Sequence, residues 1–228
     1  MPARSAPASA VGDEPTREAQ SALRVANRSA ASQFRWANLL TYLAIAVSTV
    51  AAAFTSGPEM RSLAGASIAA AFAFDLFDGR FARRFHRTKD DQQVGIELDS
   101  LADVLAFGLT PAVCLLRVVP ATGPASRVAL VLSGIFYVLC IATRLAHFNV
   151  LQAGTGAFIG VPSTVAGLFF GILLLWVPSP TLAAAAMIAV GAATVSGIPI
   201  KRPGPRVVYA LLAIGVLVAG MHMYRLLA

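Results

Sequence analysis

The chain has 228 residues, of which 57% are hydrophobic and 13% are charged, and its mean hydropathy is +0.72. About a quarter of the residues of a soluble domain are charged, so this composition excludes an ordinary soluble fold and indicates a membrane protein. The net charge of +7 fits Lys and Arg at the cytoplasmic ends of membrane helices better than it fits nucleic-acid binding.

The N-terminal segment, residues 1–34, is rich in Ala, Ser, Arg and Glu and has no apolar core of the length that a signal peptide requires. Its hydrophobic periodicity is weak. We expect a cytoplasmic tail that leads into a surface helix, followed by one membrane domain at residues 35–228.

Apolar stretches of about 18 residues or more follow this tail and predict membrane-spanning helices. The predicted spans are 36–56, 62–85, 95–117, 126–147, 157–177, 180–197 and 206–227. The sixth is short and rich in alanine, so whether residues 180–197 fully cross decides on which side the chain ends. The pattern predicts an all-α, polytopic helical bundle.

The distribution of Lys and Arg predicts the orientation, because these residues accumulate on the cytoplasmic side of membrane proteins. With the N-terminus inside, 14 of the 18 Lys and Arg residues fall on the cytoplasmic side and four on the other. We therefore expect a multi-pass protein of the cell membrane with a cytoplasmic N-terminus. Lys201 and Arg202 are expected to contact lipid head groups.

Four aspartates concentrate at the end of the second span and the start of the third: Asp75, Asp78, Asp99 and Asp103. Spacings of three and four residues place each pair on one helical face. A loop around residues 86–94 lets the two helices run antiparallel, so that the four carboxylates converge at the cytoplasmic membrane edge. Asp90 and Asp91 are expected to be solvated in that loop.

Carboxylates at membrane depth are costly unless they are paired or bind a metal. A site made of carboxylates alone suits Mg²⁺ or Mn²⁺ rather than zinc. Two such ions bridged by shared carboxylates form a clamp for phosphoryl transfer, which we predict here. Gly79 and Ala82 would leave room beside the acids for a nucleobase or a phosphate, and Arg83 offers a guanidinium suited to phosphate.

Together with Gly95, these residues resemble the signature of the CDP-alcohol phosphotransferase family, D-x2-D-G-x2-A-R-x8-G-x3-D-x3-D. All eight fixed residues are present, and the spacer before the second glycine has eleven residues instead of about eight. The resemblance covers about residues 35–202. It implies a six-helix core, to which the last predicted span adds a seventh helix.

The resemblance implies transfer of a phosphatidyl group from CDP-diacylglycerol to an alcohol, with release of CMP, in a homodimer. It assigns the metals to Asp75, Asp78, Asp99 and Asp103, and makes Asp103 the general base as well. The CDP-lipid would be bound by Asn38, Thr41, Gly79, Ala82, Arg83, Thr88 and Gly95. Ala37 stands where the family commonly has a proline.

The flanking segments resemble the bacterial and archaeal membrane phosphatidylserine synthases, which implies L-serine as the acceptor. Ala106 and His147 depart from that subgroup's pattern, and His147 is expected to be an interfacial residue. Serine presents a carboxylate and an ammonium, so its pocket needs a cation and an acceptor. The candidate residues for this pocket are Arg144, Asn149, Ser163 and Thr164.

Other interpretations stay open from the sequence. The acceptor could be glycerol 3-phosphate or inositol phosphate, which would need two or more converging cations, or choline, which would favour an aromatic cage. A divalent-cation transporter would also carry acids in its spans, but near the bilayer midplane rather than at helix ends. The complete set of acids argues against a catalytically inactive scaffold.

Overall fold

The computed structural model of the protein describes residues 30–152, 157–201 and 203–228. The chain forms two compact units, Met1–Arg35 and Trp36–Ala228. Residues 1–29, which hold most of the predicted tail, lie outside the described residues, as do Arg202 and the side chain of Lys201. The described end of the first unit contains a short 3₁₀ turn, Ala30–Gln33.

The described part of the second unit is almost entirely helical. Its α-helices are α1 Leu39–Phe54, α2 Arg61–Ala82, α3 Lys89–Asp103, α4 Thr110–Val118, α5 Pro124–His147, α6 Ser163–Leu173, α7 Pro180–Thr194 and α8 Pro205–Leu227. Short 3₁₀ turns, Trp36–Asn38 and Pro58–Met60, precede α1 and α2. The π-helical segment Val104–Leu109 joins α3 to α4 without a break, and a second one, Phe148–Gln152, extends α5.

Two three-residue strands connect the loops before α6 and α8. Strand β1, Ala157–Ile159, pairs antiparallel with β2, Pro199–Lys201, and Phe158 stands opposite Ile200. This pairing brings the α5–α6 and α7–α8 connections together at one end of the helices.

Five helical segments among the described residues are long and apolar enough to cross a membrane, which confirms the polytopic α-helical class. They are Trp36–Phe54, Pro58–Ala82, Lys89–Val118, Pro124–Leu151 and Pro205–Leu227. The predicted fifth and sixth spans correspond to shorter apolar helices, α6 with 11 residues and α7 with 15. A full crossing takes about 20 residues. Pro162 and Pro180 help to set where these helices begin, because proline fits the first turn but not a helix interior.

The predicted loop at residues 86–94 is wrong for residues 89–94, because α3 already begins at Lys89. Thr88 Oγ1 accepts a hydrogen bond from the Asp91 backbone at 3.2 Å, and the Asp91 carboxylate accepts one from the Thr88 backbone at 3.0 Å. This reciprocal capping box starts the helix early. Asp91 is consequently buried rather than solvated, contrary to the prediction.

Helix α2, which carries the first aspartate pair, packs against α1, α6 and α8. Its approach to α8 is close at two glycines. A Cβ added at Gly65 would overlap the imidazole of His222, and one added at Gly215 would lie 2.7 Å from Phe72 Cδ1. Small residues allow such backbone approach in membrane bundles, where no hydrophobic effect drives helices together. The packing fixes α2 relative to its neighbours along the length that leads to Asp75.

Candidate active site

The four aspartates converge between α2 and α3, as the spacing predicted. Asp75, Asp99 and Asp103 each offer a carboxylate oxygen, and these oxygens lie within 4.8 Å of one another. Asp78 interacts through its side chain with Asp99 across the two helices. Asp103 is buried, and the other three are half-buried. The structure thus forms one acidic cluster from both pairs.

The acidic cluster suits a hard divalent cation. Four carboxylates in apolar surroundings repel one another more strongly than they would in water. Arg144 lies within electrostatic range of Asp103, but one guanidinium does not balance four acids. All the ligands offered are oxygens, which Mg²⁺ and similar ions prefer. The residues present therefore fit the metal that the sequence led us to expect.

A first cavity, which we call the α1 cavity, lies on one side of the acidic cluster. It is lined by Asn38 and Thr41 at the start of α1, by α2 around Gly79 and by α3 around Gly95. Five of the seven residues predicted to bind the CDP-lipid line it: Asn38, Thr41, Gly79, Ala82 and Gly95. Asp78 and Asp99 border it as well.

The two other predicted CDP-lipid residues do not line the α1 cavity. Arg83 is exposed at the C-terminal end of α2, where it occupies the cap position. The Thr88 hydroxyl is engaged in the capping box at the start of α3. The structure therefore separates these two side chains from the five that it brings together.

A second cavity, the α6 cavity, lies on the other side of the acidic cluster and has a volume of about 540 Å³. Asp75, Asp99 and Asp103 border it. All four predicted acceptor residues also line it: Arg144, Asn149, Ser163 and Thr164. The two cavities share Asp99 and Ile96, so the acidic cluster borders both of them.

Arg144 is the buried cation of the α6 cavity. Its side chain is 7% exposed, and its Nε atom has no hydrogen-bond partner within the described part of the chain. The guanidinium carbon lies 5.9 Å from the centroid of the Phe148 ring. A buried donor without a partner is costly, so this atom is suited to a ligand.

The carboxylate of Asp103 is held by α6. The hydroxyl of Ser163 donates a hydrogen bond of 2.7 Å to Asp103 Oδ2. One turn further along each helix, Gly167 faces Phe107, and a Cβ added at Gly167 would overlap the phenyl ring. The missing side chain at Gly167 therefore lets α6 approach closely enough for Ser163 to reach Asp103.

A π-helical segment begins directly after Asp103. Its wider turn is the kind of local irregularity that is frequent at functional sites. The hydroxyl of Tyr137 on α5 donates a hydrogen bond to the carbonyl of Phe107 within this segment. The segment thereby links α5 to the helix that carries Asp99 and Asp103.

Several residues around the cluster were missed from the sequence. Arg87 and Gln92 line the α1 cavity, and Ser100 and Glu97 line the α6 cavity. Ser100 Oγ accepts a hydrogen bond of 2.8 Å from Asn149 Nδ2. The sequence offered no signal that singled out Arg87, because Arg83 and Arg84 stand in the same short stretch.

Comparison with known proteins identifies the family. Residues 34–198 match the CDP-alcohol phosphatidyltransferases. The CDP-diacylglycerol–serine O-phosphatidyltransferase of Mycobacterium tuberculosis is 32% identical over 178 residues, which cover 72% of this chain and 59% of that protein. The protein with that name from Bacillus subtilis is 36% identical over 99 residues, covering 43% of this chain and 52% of that protein.

An archaeal relative shows a similar degree of likeness. The archaetidylserine synthase of Methanothermobacter thermautotrophicus is 36% identical over 133 residues, covering 58% of this chain and 55% of that protein. The chain thus spans a little over half the length of each of these three relatives.

Proposed function

The chain belongs to the CDP-alcohol phosphatidyltransferase family, and we propose that it transfers the phosphatidyl group of CDP-diacylglycerol to the hydroxyl of L-serine. The products are phosphatidylserine and CMP. The observation that supports this proposal is a pair of cavities that meet at four aspartates. A transfer between two substrates needs two binding sites whose reacting groups lie next to each other. The names of the three relatives support serine as the acceptor.

We assign the α1 cavity to the cytidine diphosphate of the donor. Asn38 and Thr41 contribute buried polar side chains that can hydrogen-bond a base or a ribose. Gly79 meets no other atom where a Cβ would stand, so this stretch of α2 leaves space for a ligand next to Asp78. The acyl chains of the donor would stay in the bilayer while its head group enters this cavity.

We assign two divalent cations, Mg²⁺ or Mn²⁺, to Asp75, Asp78, Asp99 and Asp103. When bound, such ions neutralise the diphosphate and stabilise the charge that develops on the leaving CMP. The four aspartates lie between the two cavities. Their negative charge excludes a further anion unless a cation is bound.

We assign the α6 cavity to serine. Arg144 would pair with the serine carboxylate through a charge-assisted hydrogen bond, which would give its Nε atom a partner. Glu97 lines the same cavity and offers an acceptor for the ammonium group. Asn149 and Thr164 add neutral hydrogen-bonding groups around the same small molecule.

Asp103 would act as the general base. The serine hydroxyl oxygen forms a bond to the phosphorus of the phosphatidyl group, and the bond from that phosphorus to the oxygen of CMP breaks. CMP leaves with the bonding electrons, and Asp103 takes the hydroxyl proton. Ser163 donates a hydrogen bond to one carboxylate oxygen of Asp103 and thereby restricts the orientation of that side chain. A base held in one orientation loses less entropy when the reaction occurs.

Phosphatidylserine formation tests the proposal. Purified full-length protein in detergent, with CDP-diacylglycerol, Mn²⁺ or Mg²⁺ and labelled serine, should form labelled phosphatidylserine and an equal amount of CMP. Removal of the metal with EDTA should stop both products, and added metal should restore them. Product formation that persists in EDTA would contradict the metal assignment, and the absence of CMP with every acceptor would contradict transferase activity.

We further propose that the protein acts in the cell membrane, as a homodimer, with the site open to the cytoplasm. The helix ends next to the site support this orientation, because they carry Arg80, Arg83, Arg84 and Arg87. The pairing into a homodimer is supported by the family resemblance.

A further inference from the structure

The α1 cavity contains a cation that the family signature does not include. Arg87 belongs to the short loop between α2 and α3 and is half-buried against the cavity wall. The signature arginine, Arg83, lies four residues earlier and is exposed away from this wall. Among the described residues that line the cavity, Arg87 supplies the positive charge.

Arg87 is held in place by the first turn of α3. Its Nη2 atom donates a hydrogen bond of 2.9 Å to the backbone carbonyl of Asp91, in the first turn of α3. The capping box of Thr88 and Asp91 fixes that turn. A guanidinium has five N–H donors, and a single hydrogen bond leaves others for a ligand.

Gly95 explains how the guanidinium reaches the cavity. A Cβ added at Gly95 would overlap Arg87 Nη2 and would lie 3.5 Å from Asn38 Oδ1. The bare backbone of α3 at this position is therefore the surface on which Arg87 rests, next to a residue that lines the cavity from α1. Gly95 precedes Asp99 by one helical turn, about 6 Å along the axis, so the guanidinium lies close to the acidic cluster.

We propose that Arg87 binds a phosphate oxygen of the CDP moiety in the α1 cavity, and that Gly95 is needed because it makes room for this guanidinium. The inference rests on the proposed function, since it takes the α1 cavity to be the donor site. Arg is suited to this task because its planar fork matches the geometry of phosphate. Arg87 is the fourth residue after Arg83, within the spacer that the signature leaves unspecified.

Binding of CDP and of cytidine to the full-length, Mg²⁺-loaded protein in detergent tests the role of Arg87. Arg87→Ala should weaken CDP binding roughly ten- to a hundredfold, the size expected for a hydrogen bond to a charged group. Cytidine affinity should stay unchanged, because cytidine has no phosphate. The matched control is Arg84→Ala, since Arg84 is an exposed arginine of the same loop region that lines a different cavity; its CDP affinity should stay within about twofold of wild type.

A double-mutant cycle tests the role of Gly95. The atom that a Cβ at Gly95 would meet is the far end of a flexible side chain, so Gly95→Ala should fold and displace Arg87. Gly95→Ala alone should then weaken CDP binding about as much as Arg87→Ala. The double variant should bind CDP no more weakly than Arg87→Ala.

Three results would overturn the inference. CDP affinity of Arg87→Ala within twofold of wild type would remove Arg87 from the site. An equal loss of cytidine affinity would place Arg87 on the base instead of the phosphate. Fully additive losses in the cycle would show that Gly95 acts independently of Arg87. Failure of the wild-type protein to bind CDP would instead contradict the donor site, and with it the proposed function.

Discussion

Asp103 is surrounded by groups that orient its carboxylate and act on its charge. Ser163 donates a hydrogen bond to one of its oxygens, Arg144 lies within electrostatic range, and Asp75 and Asp99 offer oxygens within 4.8 Å. It is also the most buried of the four aspartates. These surroundings distinguish it from Asp78, which borders the α1 cavity on the other side.

Replacement of Asp103 tests its proposed role as the base. Asp103→Asn keeps the shape of the side chain but removes its ability to accept the proton. We expect kcat to fall by about 10²–10⁴-fold, the usual contribution of a general base, while CDP-diacylglycerol still binds. Steady-state kinetics and donor binding measured on the same preparation check both parts. Wild-type turnover in this variant would refute the assignment.

Replacement of Arg144 tests its proposed role in binding the serine acceptor. Arg144→Ala should raise the serine KM by roughly tenfold or more, because a charge-assisted hydrogen bond to the acceptor contributes about 1.5–3 kcal/mol. The donor KM should change little. Initial rates over a matrix of both substrates separate the two constants. Equal increases in both would indicate that Arg144 anchors the helix and does not contact serine.

The geometry of the site depends on how closely the short helix α6 approaches α3. Gly167 provides this approach, because its missing side chain leaves room for the ring of Phe107. Ser163 and Gly167 lie one turn apart on α6, and they face Asp103 and Phe107, which are also four residues apart. The separation of the helices at Gly167 thus sets the hydrogen bond at Ser163.

A larger side chain at Gly167 should separate these helices. Gly167→Val should cost about 1–3 kcal/mol of unfolding free energy through overpacking and should lower kcat by breaking the Ser163–Asp103 hydrogen bond. Thermal unfolding in detergent and turnover measure the two effects. Gly220→Val is the matched control, since a Cβ at Gly220 meets no atom within 4 Å. Full activity in Gly167→Val would contradict the proposed coupling.

The sequence was sufficient to predict the helices and the convergence of the aspartates, because hydrophobic length and helical spacing are local properties. It was not sufficient to predict the start of α3. The polar composition of residues 86–94 suggests a loop, whereas the Thr88–Asp91 capping box starts a helix there. The position of Arg87 depends on that helix start, so it could not be predicted either. The length of α6 was overestimated, because the residues before it are apolar but form β1 and a bend at Gly160, whose φ is +75°.

Within the unit Trp36–Ala228, the connections alternate between the two ends of the helices. The loops after α2, α5 and α7 lie at the end that holds the site, and β1 and β2 pair there. The loops after α1, α4 and α6 lie at the other end, where Arg117 donates a hydrogen bond to the carbonyl of Thr55 and Arg225 donates one to that of Leu175. If the short helices α6 and α7 cross the bilayer, the two ends of the helices lie on opposite sides of the membrane. The distribution of Lys and Arg predicts that the end with the site is cytoplasmic.

Cysteine labelling in intact cells tests this orientation. The two native cysteines, Cys114 and Cys140, are free and buried, so they should give little background. A membrane-impermeant maleimide should label Ser56→Cys, in the exposed loop after α1, without permeabilisation. It should label His86→Cys, in the exposed loop after α2, only after permeabilisation. The reverse pattern would place the site on the outer side.

In the proposed reaction, a serine bound in the α6 cavity attacks a CDP-lipid bound in the α1 cavity at the acidic cluster between them. The most direct test is the initial rate of CMP release by the purified protein with CDP-diacylglycerol, Mg²⁺ and one acceptor at a time: serine, glycerol 3-phosphate, inositol phosphate or choline. We predict that CMP release depends on serine and that the three other acceptors give only the rate without acceptor. CMP release with glycerol 3-phosphate, inositol phosphate or choline but not with serine would show that the α6 cavity does not bind serine as the acceptor.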